Sequence, residues 1–300
     1  VQSQVGLTNF STCVLNDHST DSTAEKLHKH VGITILDGLE LPVGWLGKNW
    51  ACHQLSQKSH SEYLVFLDAD VQLAPTAVAS AIALMQREEL DFLSPHPREI
   101  AETFMERLIQ PLLQWSWLAS VLLFFSERAR IPSMTLANGQ FFIVRSTAYI
   151  KSGGHESIKG EVLDDLSLAR ALVRNHFTGT VADASTVSEC RMYKSSSELI
   201  SGYTKSLWRA FGNPLGAIVA SLLLIAVGLL PLLLGMSGYA IGFIAYFLTA
   251  LSFAIASART QSSKAAIFLH PISMTLVIFL IGLSYFRRSR GGLRWKDRVI

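Results

Sequence analysis

Charge is scarce in this sequence: only 16% of its 300 residues are Asp, Glu, Lys or Arg, and the formal net charge is +3. A balance that mild does not make the basic face that neutralises phosphate backbones, so no nucleic-acid partner is expected. Cysteine is scarcer still. Cys13, Cys52 and Cys190 form an odd set without metal-ligand spacing, which excludes a disulfide framework and reads as free thiols in a reducing compartment. Internal repeats and low-complexity linkers are also lacking. The chain opens on Val1 rather than Met, and no apolar leader precedes the first strand-like run, so a fragment or a processed chain is expected.

What is plentiful is apolar side chain. Hydrophobic residues make up 49% of the chain, its mean hydropathy is +0.31, and almost all long apolar runs lie after Asn213. The length suits one domain with an appendage. Segments at roughly 215–234, 236–257 and 265–286 each reach about 20 apolar residues, enough to cross a hydrocarbon core. The link Gly235-Met236-Ser237-Gly238 predicts a hairpin between the first two. Arg259 and Lys264 mark the next link as cytoplasmic, which places the basic end of the chain on the opposite face. The positive-inside rule disfavours that, so either one segment is re-entrant or an odd number of crossings overrides the tail. The tail itself, with Arg287, Arg288, Arg290, Arg294, Lys296 and Arg298, suits a membrane surface.

Before Asn213, strands and helices alternate. Thr12–Leu15, Ile33–Leu36, Tyr63–Leu67, Asp91–Ser94 and Phe141–Val144 read as strands. Helices are predicted from Ala24, with Ser or Thr as its cap, over 76–90, and over 162–173 with Asp164 and Asp165 in its first turn. Residues 110–125, "QPLLQWSWLASVLLFF", are rich in Trp and Leu but too short to span a bilayer, and read as a core or interfacial helix. The alternation predicts a parallel α/β sheet, whose ligands bind at the carboxyl ends of strands. Asp17 and the pair Asp68 and Asp70 fall at such ends.

In "VFLDADVQLAP" (65–75), Asp68 and Asp70 share one side if extended geometry persists. Like charges so placed repel unless a cation sits between them. Taken alone, the pair reads first as a strand end facing water. Asp17 alone reads as a turn acid, Lys48 as a solvated loop lysine or a basic residue near a ligand, and the acids of the helix start as complements to its dipole. Trp45 and Trp50 either stack on a ligand or pack their loop.

Taken together the motifs say more. "CVLNDHSTDST" (13–23), "VFLDADVQLAP" and "GGHESIKGEVLDDLSLARAL" (153–172) resemble, in order and spacing, the nucleotide-binding segment, the D-x-D and the catalytic acidic helix of family 2 glycosyltransferases. "LPVGWLGKNWACHQ" (41–54), "ANGQFFIVR" (137–145) and "CRMYKSSSELISGYTKSLW" (190–208) are similar to a membrane-bound branch of that family acting on carotenoid, hopanoid or sphingolipid-like acceptors. "LRWKDR" (293–298) resembles that branch's W-K-G-R, with Asp297 in place of Gly.

The resemblance implies an α/β catalytic domain of the GT-A type, Rossmann-like with a mostly parallel sheet, over 1–211, three transmembrane helices over 212–287 and a basic tail over 288–300. It implies single transfer of a sugar, with inversion, from a nucleotide-sugar, UDP-linked above all, to a membrane lipid. A magnesium or manganese ion would be held by Asp70 and Asp68. Asp17, Lys48, Asp68 and Arg191 would bind the nucleotide, Asn138, Gly139, Gln140 and His155 the sugar or acceptor, and Asp165, with Asp164 beside it, would be the general base. The implied location is the cell membrane, multi-pass, with the catalytic domain cytoplasmic. The Q-x-x-R-W of processive synthases is missing; Arg191-Met192-Tyr193 stands in that region, which favours single transfer over polymerisation. The family's opening strand and P-x-x-N-E-like loop, expected before Asp17, are missing as well. A non-catalytic transferase-like scaffold and a polyprenyl-phosphate sugar synthase are the alternatives.

Overall fold

The computed structural model describes residues 1–119, 130–290, 294–295 and 298–299. The chain forms two compact units, Val1–Pro97 with Leu122–Cys190 and Arg98–Val121 with Arg191–Ile300. Each has a hydrophobic core of its own.

The first unit is α/β. Strand β1 (Thr12–Asn16) leads through helix α1 (Thr23–His28) to β2 (Ile33–Asp37), paired parallel with it. The expected Ser or Thr cap of α1 is absent: no side chain of Ser22 caps it, and the Thr23 amide donates to Asp21 Oδ1 at 3.0 Å instead. Helix α2 (Gly47–Ser56) follows, in a stretch read from the sequence as loop. Then come β3 (Tyr63–Leu67), a short β4 (Val71–Leu73), helix α3 (Ala77–Arg87) and β5 (Phe92–His96).

The larger sheet is mixed. Its order is β3, β6 (Phe141–Arg145), β5, β7 (Gly179–Asp183), and β6 runs antiparallel to both of its neighbours while β5 and β7 are parallel. β6 enters through the 138–140 loop rather than through a crossover helix, so its first residue, Phe141, pairs with the last of β3, Leu67. Alternation along β6 fills both faces. Phe141 and Ile143 pack with Ala77, Ala81 and Met85 of α3, and Phe142 and Val144 with Leu168 and Leu172 of helix α5 (Asp164–Arg174). Burial of each such large side chain contributes about 1.5–3 kcal/mol, which explains why every residue of β6 before Arg145 is apolar.

The second unit is helical. Helix α4 (Phe104–Ala119) begins six residues before the expected start, and residues 120–125 of that expectation lie outside the described residues. Leu108, Ile109 and Leu112 of α4 are buried with Leu199 of α6 (Ser196–Ala210) and with residues of the apolar helices. Among the described residues three helices are long and apolar enough to cross a membrane: α7 (Pro214–Met236), α8 (Ala240–Thr260) and α9 (Ala266–Ser289). Asn213 caps α7, its Oδ1 accepting the Gly216 amide at 2.8 Å, and Pro214 follows at a position that needs no amide donor. A Cβ on Gly242 would lie 2.3 Å from the Gly235 nitrogen, so only glycine lets the α7 and α8 backbones approach as they do at the hairpin. Residues Arg294–Trp295 and Arg298–Val299 pair antiparallel.

Candidate active site

In the first unit, three carboxylates and one ammonium meet. Lys48 lies in the first turn of α2, not in a loop. Its Nζ is 3.0 Å from Asp68 Oδ1 and 3.2 Å from Asp164 Oδ2. Asp68 follows β3, and its amide donates to the Gln140 carbonyl at 3.0 Å, which ties the 138–140 loop beside it. Asp165 stands in the first turn of α5. Its Oδ2 accepts the Gly139 amide and its Oδ1 accepts its neighbour Leu166's amide, each at 2.7 Å.

Electrostatics follow from burial and proximity. Burial alone would lower the Lys48 ammonium, but Asp164, Asp68 and Asp165 outweigh it and hold it well above the ordinary lysine value. Burial raises the Asp68 carboxyl, with the Lys48 charge opposing. The Asp165 carboxyl is pushed up to about 6, first by burial and then by the Asp164 charge, while Lys48 and the two amides pull the other way. A carboxylate so tuned can take a proton near neutral pH, as a general base must. Cys52, one turn after Lys48, is pushed up by burial to about 12 and stays a thiol.

The other expected residues are placed as follows. Asp17 is exposed just after β1, and its Oδ2 would be 3.6 Å from a Cβ on Gly47, which brings it to the start of α2. The D-x-D pair does not keep the extended geometry that would aim both acids to one side. β3 ends at Leu67, and Ala69 and Asp70 sit in a turn closed by the Val71 amide on the Asp68 carbonyl at 3.2 Å. Asp70 is exposed there. Asn138 and Gln140 are buried and bonded within their own loop: Asn138 Nδ2 donates to Gln140 Oε1 at 3.1 Å, and Asn138 Oδ1 accepts the Gln140 amide at 2.8 Å. His155 is buried, with Nδ1 2.8 Å from the Tyr149 hydroxyl, and burial lowers it to about 4, so the ring is neutral at physiological pH. Arg191 belongs to the second unit and pairs with Glu102 at 2.7 Å. Trp45 and Trp50 pack edge to face at 5.0 Å between ring centroids, with His53 against both.

Sequence reasoning missed Asn49. It is buried, and its Nδ2 lies 2.8, 3.1 and 3.0 Å from the carbonyls of Ile158, Lys159 and Glu161. One side chain thus fastens the helix carrying Lys48 to the segment leading into Asp164, and only its polarity in an apolar neighbourhood hinted at it.

For a cation, hard oxygen donors are present in Asp68 and Asp70. Among the described residues no group of three or more His, Cys, Asp or Glu side chains could hold a metal. Two carboxylates, one of them paired with Lys48, leave most of a cation's shell to water and substrate oxygens, as an ion of the magnesium type would require.

The mixed α/β sheet, with Asp68 after one strand and Asp164 and Asp165 at a helix start, is of the GT-A kind. The chain belongs to glycosyl transferase family 2, which it matches over residues 1–152. It is similar to the 4,4'-diaponeurosporenoate glycosyltransferases of Staphylococcus aureus strains USA300 and bovine RF122, 27% identical to each over 227 residues, or 74% of this chain. It spans 60% of the length of those relatives. In fold it is similar to a mannosyltransferase from Pyrobaculum calidifontis solved with GDP-Man and Mn2+, with a TM-score of 0.58 and 14% identity over 96% of this chain and 80% of that one.

Proposed function

We propose that this chain transfers a single sugar, with inversion, from a nucleoside-diphosphate sugar to the hydroxyl or carboxyl of a membrane lipid, with Asp165 as general base. The observation that carries the reading is Asp165 itself: a carboxylate oriented by two backbone amides at 2.7 Å, raised to about 6, and set beside the Lys48 cluster. The acceptor gives its proton to Asp165 as its oxygen attacks the anomeric carbon, and the diphosphate departs on the opposite face. Asp164 keeps Lys48 in place and raises Asp165 by its charge. Lys48 carries the positive charge nearest the base, and Asp17 at the start of α2 would accept hydrogen bonds from the nucleoside. Asp70 and Asp68 would hold a magnesium or manganese ion, which when bound neutralises charge on the leaving diphosphate. Gly139 contributes its amide, while Asn138 and Gln140 act by fixing that loop. His155, neutral and buried, is assigned to the acceptor side, and Arg191 to the diphosphate.

The lipid acceptor is supported by three helices apolar enough to enter a bilayer and by the name of the Staphylococcus aureus relatives. The functional division is a catalytic region before α7, an apolar region of α7 to α9 and a basic tail, anchored in the cell membrane with the catalytic region on the cytoplasmic side.

The test is to incubate membranes containing the protein with radiolabelled nucleotide sugars and a total lipid extract, with manganese or EDTA. Label in the organic phase is counted for wild type and Asp165→Asn. Label that needs both the metal and Asp165 is the expected result and identifies the donor. Label no higher than that of the variant, for every donor, overturns the catalytic reading.

A further inference from the structure

The apolar helices α7, α8 and α9 of the second unit are similar in length, 23, 21 and 24 residues, but not in setting. Both ends of α9 abut polar segments. At its start, Gln261, Ser263 and Ala265 line a cavity of about 350 Å3 together with Arg98, Glu99 and Arg107. At its end, Tyr285 donates its hydroxyl to the Trp208 carbonyl at 3.0 Å, Arg287 donates to Thr204 Oγ1 at 2.7 Å, and the Arg288 guanidinium lies 3.9 Å over the Trp208 ring. Trp208 lies in the last turn of α6, a few residues before α7 begins at Pro214.

The segments at 98–107 and 191–210 lie on one side of any membrane. Arg191 and Glu102 pair directly, and among the described residues no candidate span separates the two segments. Hence both ends of α9 are on that same side, although its 24 residues would reach about 36 Å if it crossed. Its exposed large side chains, Phe268, Ile272, Phe279 and Phe286, recur at intervals of four, seven and seven, a single stripe on a helix. On α7 the exposed side chains Leu215, Leu223, Ile225 and Val227 spread around more than half of the circumference. The opposite face of α9, with Met274, Val277 and Leu280, is buried with Leu108 and Leu112 of α4 and Leu199 of α6.

From these contacts we infer that α9 does not cross the membrane but lies along its surface, dipping the Phe268–Phe286 stripe into lipid, and that of the three candidate spans among the described residues only the α7–α8 hairpin crosses the bilayer. Two crossings place Lys205, Arg209, Arg259, Lys264, Arg288 and Arg290 all on one side, and the far link, Ser237-Gly238-Tyr239, carries no charge. That distribution satisfies the positive-inside rule, which three crossings violate. The exposed Arg209, Arg288 and Arg290 then face anionic head groups beside Trp208 and Phe286. The inference rests on the membrane reading above but not on catalysis.

Sidedness decides it. Ser237→Cys, Ser262→Cys and Ser289→Cys are made singly in the full chain and treated with a membrane-impermeant maleimide polymer in right-side-out and inverted vesicles; each added thiol is read as one gel shift beyond wild type. The expected result is that Ser262→Cys and Ser289→Cys shift in the same vesicles and Ser237→Cys in the opposite ones. Ser289→Cys shifting opposite to Ser262→Cys overturns the inference and leaves membrane insertion standing. All three shifting in both preparations overturns insertion as well. Should a variant fail to accumulate, Phe279→Cys carrying an environment-sensitive fluorophore gives a second readout: quenching by lipids labelled near the head groups is expected to exceed quenching by lipids labelled at the bilayer centre, and the reverse order refutes a surface helix.

Discussion

At the scale of single residues, the site is a balance between one buried cation and the acids around it. Asp165→Asn keeps the shape but has one acceptor oxygen for the two amides of Gly139 and Leu166 and cannot take a proton; transfer is expected to fall by about 10²–10⁴-fold, with the fold retained in thermal unfolding. In the wild type only ionised Asp165 accepts, so the rate is expected to rise with pH through about 6. Lys48 lowers that value by its charge. Lys48→Met should therefore move the rising limb to higher pH, in addition to weakening donor binding; a limb that stays in place in a pH series on this variant would mean that another group titrates. Metal dependence also belongs here. EDTA is expected to abolish transfer, added magnesium or manganese to restore it, and Asp70→Ala to raise the metal concentration needed.

At the scale of elements, two turns hold these residues. Gly139 lies where a Cβ would be 3.1 Å from both Asp165 Cβ and Lys48 Nζ. Gly139→Ala is expected to displace the base and cost on the order of 10²-fold in rate, read as kcat with the melting temperature unchanged within a few degrees. Gly154 differs: its φ is +50° and a Cβ would sit 2.5 Å from the Tyr149 ring. Gly154→Ala should destabilise the first unit by about 1–3 kcal/mol, seen in thermal unfolding before any assay. Asn49→Ala removes three hydrogen bonds, although the carbonyls of Ile158 and Lys159 keep the amides of Glu161 and Leu46 as donors, and should cost about 1–3 kcal/mol while loosening Lys48 from Asp164. Helix α5 and its acids were legible in advance because periodicity and charge coincide in "LDDLSLARAL". Helix α2 was not, since its Trp, Cys, His and Gln follow no clear apolar period and tertiary packing decides it.

At the scale of the whole molecule, membrane association is expected to survive an alkaline carbonate wash and to yield only to detergent, because exposed apolar side chains line α7 and α8 on several faces; release by carbonate would refute insertion. The sequence by itself determined five of the strands, though not β4 or β7, together with the acidic helix, the membership of family 2 and the three apolar helices, because each depends on local pattern: alternation, charge at a helix start, motif order, uninterrupted hydropathy. It predicted a parallel sheet and did not reveal that β6 runs antiparallel to both neighbours, since an antiparallel strand has the same alternation as a parallel one. It also left open which acids meet. Asp68 and Asp164 are far apart in the chain and share Lys48 only after folding, whereas Asp68 and Asp70, near neighbours, are parted by a turn. The course of α9 was likewise beyond it, because length and hydropathy describe a helix that can cross, and only the contacts at its two ends say on which side those ends lie.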